Sequence, residues 1–328
     1  MKIHDIECAQ GPGSGVLTAW VEPCASAEPI EVFYKIEGIE RPLSGGTDAL
    51  AVALLTPSMF ERESLSIEGK ISDPLVRNLG RAQKILSQWY DYLETVPIAA
   101  ESGSGGDQLN PASGVMCCFS AGVDSWYSLL KHDTRITHLL LIRGFDIGLD
   151  NDVLWQAALS RAGIVAERMG KRLVTCATNI RDIADKRRSR WGRPFNGDFW
   201  GESLHGAALA SVALLLQNDI GEVIIPATHN HAQIKPWGSS PLLDHFWSNG
   251  RVRILHDGCE AGRTEKVRAI AQCDLALETL RVCYHDTPDI NCGRCEKCLR
   301  TILALRTCGA LDRAKHFRRT GRSRKCAA

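Results

Sequence analysis

Apolar residues fall in short blocks along this chain, and the rhythm of the blocks changes near residue 100. Up to about Ile71, runs such as Val16–Val21, Ile30–Ile36 and Leu50–Leu55 are cut apart by glycine, proline and serine, which predicts a small β-rich unit. Pro74 to Leu93 then sets Leu75, Leu79, Ile85, Trp89 and Leu93 near one helical face, so a helix is expected to close that unit over residues 1–96. The pattern lapses at Glu101–Asp107 and Pro111–Ser113, polar and rich in glycine and serine, and residues 97–113 read as a linker.

Beyond the linker, strands and helices alternate. Strands are expected at Gly114–Phe119, His138–Ile142, Arg172–Cys176 and Glu222–Ile225, with an edge strand at Val252–Leu255. Helices are expected after the first strand and over Asn151–Met169, Ser203–Gln217 and Arg263–Ala271. Such β–α alternation over residues 114–312 predicts an α/β fold with a parallel sheet covered by helices on both faces. Residues 313–328, with Arg318, Arg319, Arg322, Arg324 and Lys325, form a basic tail, read as a solvated end or an anion-binding one.

Chemistry enters where the first strand of the larger segment stops. Ser120, Ala121, Gly122, Val123, Asp124 and Ser125 separate an apolar strand from the amphipathic run Trp126–Leu130. Alone, the hexapeptide could be an ordinary turn. Between a strand and a helix, its small residues let backbone N–H groups approach an anion, and the helix N-terminus adds unpaired donors and a favourable dipole. A ligand held there would lie at the carboxyl edge of the sheet, where open α/β folds bind.

A second constellation, Cys283, Cys292, Cys295 and Cys298, has the spacing C-x8-C-x2-C-x2-C with Gly293 at the turn. It suits a closed four-sulfur structural zinc site, with an iron–sulfur cluster or unrelated thiols as the alternatives. A closed site organises its surroundings and does no chemistry.

The hexapeptide resembles the SGGxDS signature of the PP-loop ATP pyrophosphatases, with Ala121 in place of the first glycine. If that residue takes a positive φ, its methyl group costs about 1 kcal/mol or more. Together with the cysteine set, the chain is similar to the 7-cyano-7-deazaguanine synthases and their paralogues over roughly residues 113–310, most clearly at 118–125 and 281–301. Residues 1–110 have no counterpart in the compact synthase. The resemblance implies a Rossmann-like sheet of the adenine nucleotide alpha-hydrolase type, ATP and Mg²⁺, and Zn²⁺ on the cysteines. It implies adenylation of a small-molecule carboxylate, a 7-deazapurine acid among the options, with release of pyrophosphate and attack by ammonia or an amine.

Roles follow for named residues. Asp124 would hold Mg²⁺ or cap the helix, while the Ser120 and Ser125 hydroxyls and the N–H groups from Ala121 to Val123 would meet phosphate oxygens. Lys266 and Arg263, near a helix start that disfavours cations, are phosphate candidates, and Arg281 is a weaker one. Arg143 and Arg181, at strand ends, fall where the family places adenine and ribose contacts. Beyond Val223–Ile225, His229 and His231 are candidate general bases, and Ser239 and Ser240 candidate substrate contacts. Arg294, Lys297 and Arg300 are surface charges or part of a substrate path. Trp191, Trp200, Trp237 and Trp247 either stack on a substrate or pack as core.

Composition narrows the classes. A formal net charge of +1 disfavours broad electrostatic adhesion to nucleic acid, and no run approaches the length of a membrane helix, Ala207–Leu216 being the longest candidate. Thirteen cysteines, an odd number, with no apolar leader after Met1, fit a reducing cytoplasm better than a secreted disulfide scaffold. Two rivals stay open: a tRNA-thiolating relative using Cys176 or Cys259, and a nucleotide-binding module without turnover. The first 96 residues would recognise a protein acceptor, cover the site or form a homodimer.

Overall fold

Both faces of the central strands are buried, and alternate side chains of each strand enter two different cores. The computed structural model describes residues 1–22, 28–103, 112–183, 197–283, 291–314 and 316–317. Residues 104–111 of the expected linker, Trp191, segment 284–290 between the first two cysteines, and the tail arginines 318, 319, 322 and 324 with Lys325 lie outside the described residues. In β6 (Gly114–Cys118), β7 (His138–Arg143) and β9 (Ile220–Pro226), Met116, Cys118, Leu140, Ile142, Val223 and Ile225 join one core. Their neighbours Cys117, Leu139, Leu141 and Ile224 join the other. A period of two with both faces buried is why these strands read as unbroken apolar runs.

The described strands form one mostly parallel sheet in the order β10-β9-β6-β7-β8-β3-β2-β1-β4-β5. Here β8 is Arg172–Thr178, β10 is Arg253–Asp257, β1 is Lys2–Gly11, β2 is Ser14–Glu22, β3 is Ile30–Glu37, β4 is Leu65–Ser72 and β5 is Ile98–Gly103. From β10 to β8 every pairing is parallel. The chain lays down β6, moves outward through β7 and β8, then returns to add β9 and β10 on the opposite side. That reversal makes the β6/β9 boundary a topological switch point, where the loops leaving neighbouring strands part and open a crevice.

The sheet continues into the first 96 residues. β3 pairs antiparallel with β8, Tyr34 facing Thr178 and Ile36 facing Cys176, and the buried Tyr34 hydroxyl shares a hydrogen bond with Ser211 Oγ at 3.0 Å. Residues 98–103, expected in the linker, are the edge strand β5, parallel to β4.

The run Leu50–Leu55, expected among the strands, lies inside helix α1 (Gly46–Glu61). Every residue from Asp48 to Phe60 is buried, and α1 packs on α5 (His205–Leu214), also rich in alanine. A helix apolar all round has no polar stripe to announce it, so its sequence looks like a buried strand. The other expected helices form as α2 (Asp73–Trp89), α3 (Val123–Lys131), α4 (Asp152–Arg168), α5 preceded by a π turn at Trp200–Leu204, and α6 (Arg263–Ile270). Two further helices, α7 (Asp274–Thr279) and α8 (Glu296–Thr307), follow. Among the described residues, no helix is long and apolar enough to cross a membrane.

A buried polar cluster ties α1 to the far end of the sheet. Asn249 Nδ2 donates to Asp48 Oδ2 at 2.9 Å and to Gln217 Oε1 at 3.0 Å, while its Oδ1 accepts from Arg251 N and Val252 N. Ser72 satisfies the rest of the Asp48 carboxylate through its N–H and hydroxyl. Asn249→Ala is expected to cost about 2–3 kcal/mol in urea unfolding, because a buried carboxylate loses a donor and two N–H groups lose an acceptor. A loss below about 0.5 kcal/mol, typical of a surface change, would contradict this role.

Candidate functional site

Four residues, Phe119 to Gly122, carry the chain from β6 into α3. Phe119 N still pairs with Leu140 O at 2.8 Å, and the turn comes at Ala121, whose φ is +59°. The position where the resembled signature has glycine is therefore left-handed here, and the alanine methyl costs about 1–2 kcal/mol. Gly122 has φ −76° and ψ 169°, a conformation open to any residue, so its backbone freedom is not what shapes the bend. Tertiary contact holds the strain: Arg281 N donates to Ala121 O at 2.9 Å.

Gly122 is the N-cap of α3, and no side chain caps the helix. The N–H groups of its first turn are thus directed at the bend without an internal partner. Ser125 Oγ turns back to Gly122 O at 3.1 Å, and the exposed Ser120 stands at the rim. Asp124 does not act as a cap. Its Oδ1 accepts from Lys266 Nζ at 3.0 Å and its Oδ2 from an Arg263 guanidinium N–H at 3.2 Å. Lys266 is only 1% exposed and also donates to Ala227 O at 2.5 Å, while Arg263 reaches Thr301 Oγ1 at 3.1 Å. Arg263 and Lys266 of α6 are thus both committed to the carboxylate beneath the bend.

Beside the bend lies a cleft of about 220 Å³ at the carboxyl ends of β6, β7 and β9, the switch point of the sheet. Ser120, Asp124, Ser125 and Ser239 line it, joined by Asp146, His205, Thr228, Arg281 and Lys297. Lys266 and Arg263 reach it through Asp124. Arg143 and Arg181 are not in the lining. Arg143 holds Leu149 O and the Asp152 carboxylate, and Arg181 holds Phe145 O while lying over the Trp200 ring, so the two brace the loop after β7.

His229 stacks on Trp237, and burial followed by the Lys235 charge pushes it below the ordinary histidine range. His231 is exposed and joins the fold through its N–H to Cys259 O. Ser240 serves its own turn, its N–H on Asp244 and its hydroxyl accepting from Leu242 N. Trp247 is core, whereas Trp200 and Trp237 are half-buried near His205. Arg294 and Arg300 are exposed, and Arg300 pairs with Glu296 one helical turn away.

Behind Ser239 stands a pair that the sequence did not announce. Ser239 Oγ donates to Asp244 Oδ2 at 2.6 Å, and His256 Nδ1 meets the same oxygen at 2.8 Å. Burial works against a charge on His256, but the Asp244 hydrogen bond, and then the Cys259 thiol, raise it to about 9. Asp244 opens a short 3-10 turn, Asp244–Trp247, and His256 lies near the end of β10, so no local spacing relates them. Asp146 could have been found, since it lies three residues beyond β7, as Ser120 lies two beyond β6, at the same edge of the sheet.

The four cysteine sulfurs lie within 4.8 Å of one another, with Cys283 to Cys295 and Cys292 to Cys298 both at 3.9 Å. A tetrahedral ion with bonds of ~2.3 Å separates its sulfurs by about 3.8 Å, so the set fits zinc. Gly293 takes φ +67° at the turn, and N–H groups of Cys292 and Cys295 point at the Cys283 and Cys292 sulfurs, which favours thiolates. With all four sulfurs on one ion, no tetrahedral position would stay open.

No family model and no solved structure matches the chain. A 7-cyano-7-deazaguanine synthase of Methanosarcina mazei is 36% identical over 61 residues, 19% of this chain. The matched segment spans 26% of that protein's length.

Two outcomes follow from the geometry. Ala121→Gly relieves ~1–2 kcal/mol of left-handed strain and adds ~0.4–1 kcal/mol of unfolded freedom, a net gain of about 0.5–1 kcal/mol in chemical unfolding. A destabilised variant would mean that the bend is not left-handed in solution. For the Asp244–His256 pair, the folded histidine titrates above its unfolded value of 6.5, so its stabilisation is complete below that pH and is lost as pH rises through about 9. Thermal unfolding of the wild type should therefore weaken over this window more steeply than that of His256→Asn, and parallel curves would refute the pairing.

Proposed function

We propose that this chain is an ATP-dependent carbon–nitrogen ligase that adenylates a carboxylate, releases pyrophosphate and passes the acyl group to ammonia or an amine. The observation that carries the reading is the bend itself: an uncapped helix N-terminus at a topological switch point, opening on a cleft. The partial match to a 7-cyano-7-deazaguanine synthase supports this reading.

In this reading ATP is a substrate whose phosphates lie on the N–H groups from Ala121 to Ser125 and near the Ser120 hydroxyl. Asp124 and Asp146 supply the hard oxygen ligands that suit Mg²⁺, which would neutralise phosphate charge when bound. Lys266 and Arg263 fix the Asp124 carboxylate, so it is positioned before any ligand arrives. A carboxylate oxygen of the substrate attacks the α-phosphorus, the bond to the β-phosphate breaks, and pyrophosphate leaves with the electron pair. The nitrogen nucleophile then attacks the acyl carbon, gives up a proton, and AMP departs. His205 lines the cleft and is held below its ordinary range by burial, so it is a neutral imidazole better placed for that proton than His229 or His231. Phe145 and His205 in the lining, with Trp200 and Trp237 behind them, suit a flat heterocyclic acid of the deazapurine kind. Zinc on Cys283, Cys292, Cys295 and Cys298 would only shape the fold.

The test is product analysis with ATP, magnesium and a panel of deazapurine acids and amines. AMP and pyrophosphate in equal amounts are expected, together with carboxylate-dependent exchange of labelled pyrophosphate into ATP. Asp124→Asn, nearly isosteric, should lower kcat by about 10²–10³ in protein that circular dichroism shows to be folded at the assay temperature, and should cost about 3–5 kcal/mol in unfolding because the buried Lys266 loses its anion. Release of ADP and phosphate, or full activity in Asp124→Asn, would refute the reading.

A further inference from the structure

The cysteine segment does more than cap the end of the chain. Two of the cleft's cationic side chains, Arg281 and Lys297, come from it: Arg281 stands two residues before Cys283, and Lys297 lies between Cys295 and Cys298 on α8. Neither forms part of the strand–bend–helix unit that they face.

Two hydrogen-bonded links join this segment to the bend, and a third pair of bonds stiffens the segment itself. Arg281 N donates to Ala121 O, at the one residue of the bend that is left-handed, and a Cβ on Gly122 would come within 3.7 Å of Arg281 O. Asn291, just before Cys292, accepts from Val282 N and donates to Leu280 O, both at 2.8 Å, so the two arms of the cysteine set hold each other on either side of Arg281. On α8, Thr301 donates to Lys297 O at 2.7 Å and accepts from Arg263, whose guanidinium also holds Asp124. Cys298, Ile302 and Leu305 share a core with Phe119, Ala121 and Val123. Moving the knuckle would therefore move the bend, the Asp124 carboxylate and both cations together.

We propose that Arg281 and Lys297 form an anion clamp opposite the bend and that the four-cysteine knuckle sets its position, so that metal on the cysteines and phosphate in the cleft strengthen each other's binding. The clamp takes the polyphosphate of a nucleotide, and in this it rests on the proposed function. Coupling between two sites is reciprocal: if metal tightens phosphate binding, phosphate must tighten metal binding by the same factor at equilibrium.

The experiment uses the zinc-loaded full chain without carboxylate substrate, so that no turnover occurs. ATP binding is measured by calorimetry, and the partition of zinc between the protein and a chromophoric chelator is measured at equilibrium with and without saturating magnesium-ATP. The zinc affinity of the wild type should rise at least ~5-fold with ATP, within the usual range of coupling between sites. In Arg281→Ala/Lys297→Ala, the Kd for ATP should rise by about tenfold or more and the gain in zinc affinity should vanish, with zinc content and melting unchanged; two charge-assisted contacts are lost. Lys297→Met, which keeps the apolar stem, replaces the double variant if that protein loses zinc, and should show a smaller loss of the same gain. Wild type that binds ATP yet holds zinc with unchanged affinity overturns the coupling and leaves the nucleotide reading standing. An unaltered Kd in the folded variants overturns the clamp. Wild type that binds no ATP overturns the nucleotide reading, and the inference with it.

Discussion

Burying an ammonium group is costly unless an anion accepts from it, and the buried Lys266 answers that cost with Asp124. The consequences spread outward. Because the anion sits on the first turn of α3 and the cation on α6, the pair fixes the helix that begins at the bend against the helix that follows β10. Arg263 shares the carboxylate and extends the link to Thr301 on α8. The bend is thus fastened through its helix below and through Arg281 N–H at its strained residue above. Neither attachment is local in sequence. A left-handed alanine survives here because tertiary structure determines it from two sides.

The sheet supplies the second condition. A parallel sheet buried on both faces leaves its strand ends as the place where polar groups can converge without a large desolvation cost. The reversal of strand order at β6 opens that place to a ligand. Around it, α3, α4, α6, α7 and α8 share one core, and α1, α2 and α5 share the other, so the first 96 residues stabilise one face of the sheet whose opposite face carries the bend. The edge toward β5 lies several strands from the cleft. Substitutions there should act through stability alone.

How much of this could be read from the residues depended on how local the signal was. The strand, bend and helix were legible because they are contiguous, and the cysteine cluster because its spacing is short. The order of the strands was not, since alternation predicts a parallel sheet but says nothing of a continuation through β3. Leu50–Leu55 misled because a helix buried all round has the same apolar run as a buried strand. Lys266 and Arg263 were singled out for being unfavourable at a helix start, and the physical reason was right, but the anion beside them is Asp124. Arg143 and Arg181 were placed by resemblance, and no local pattern foretold the contacts by which their side chains brace the loop after β7. His256 and Asp244 carry no pattern at all, for their pairing exists only in three dimensions.

The central claim is that the first turn of α3 grips a polyphosphate. A crystal structure with the non-cleavable analogue α,β-methylene-ATP and magnesium tests it most directly. The account predicts phosphate oxygens at ~2.7–3.2 Å from N–H groups of the bend and first helical turn, with the Asp124 carboxylate still held by Lys266. A nucleotide bound elsewhere, with the bend contacting no phosphate, would contradict it.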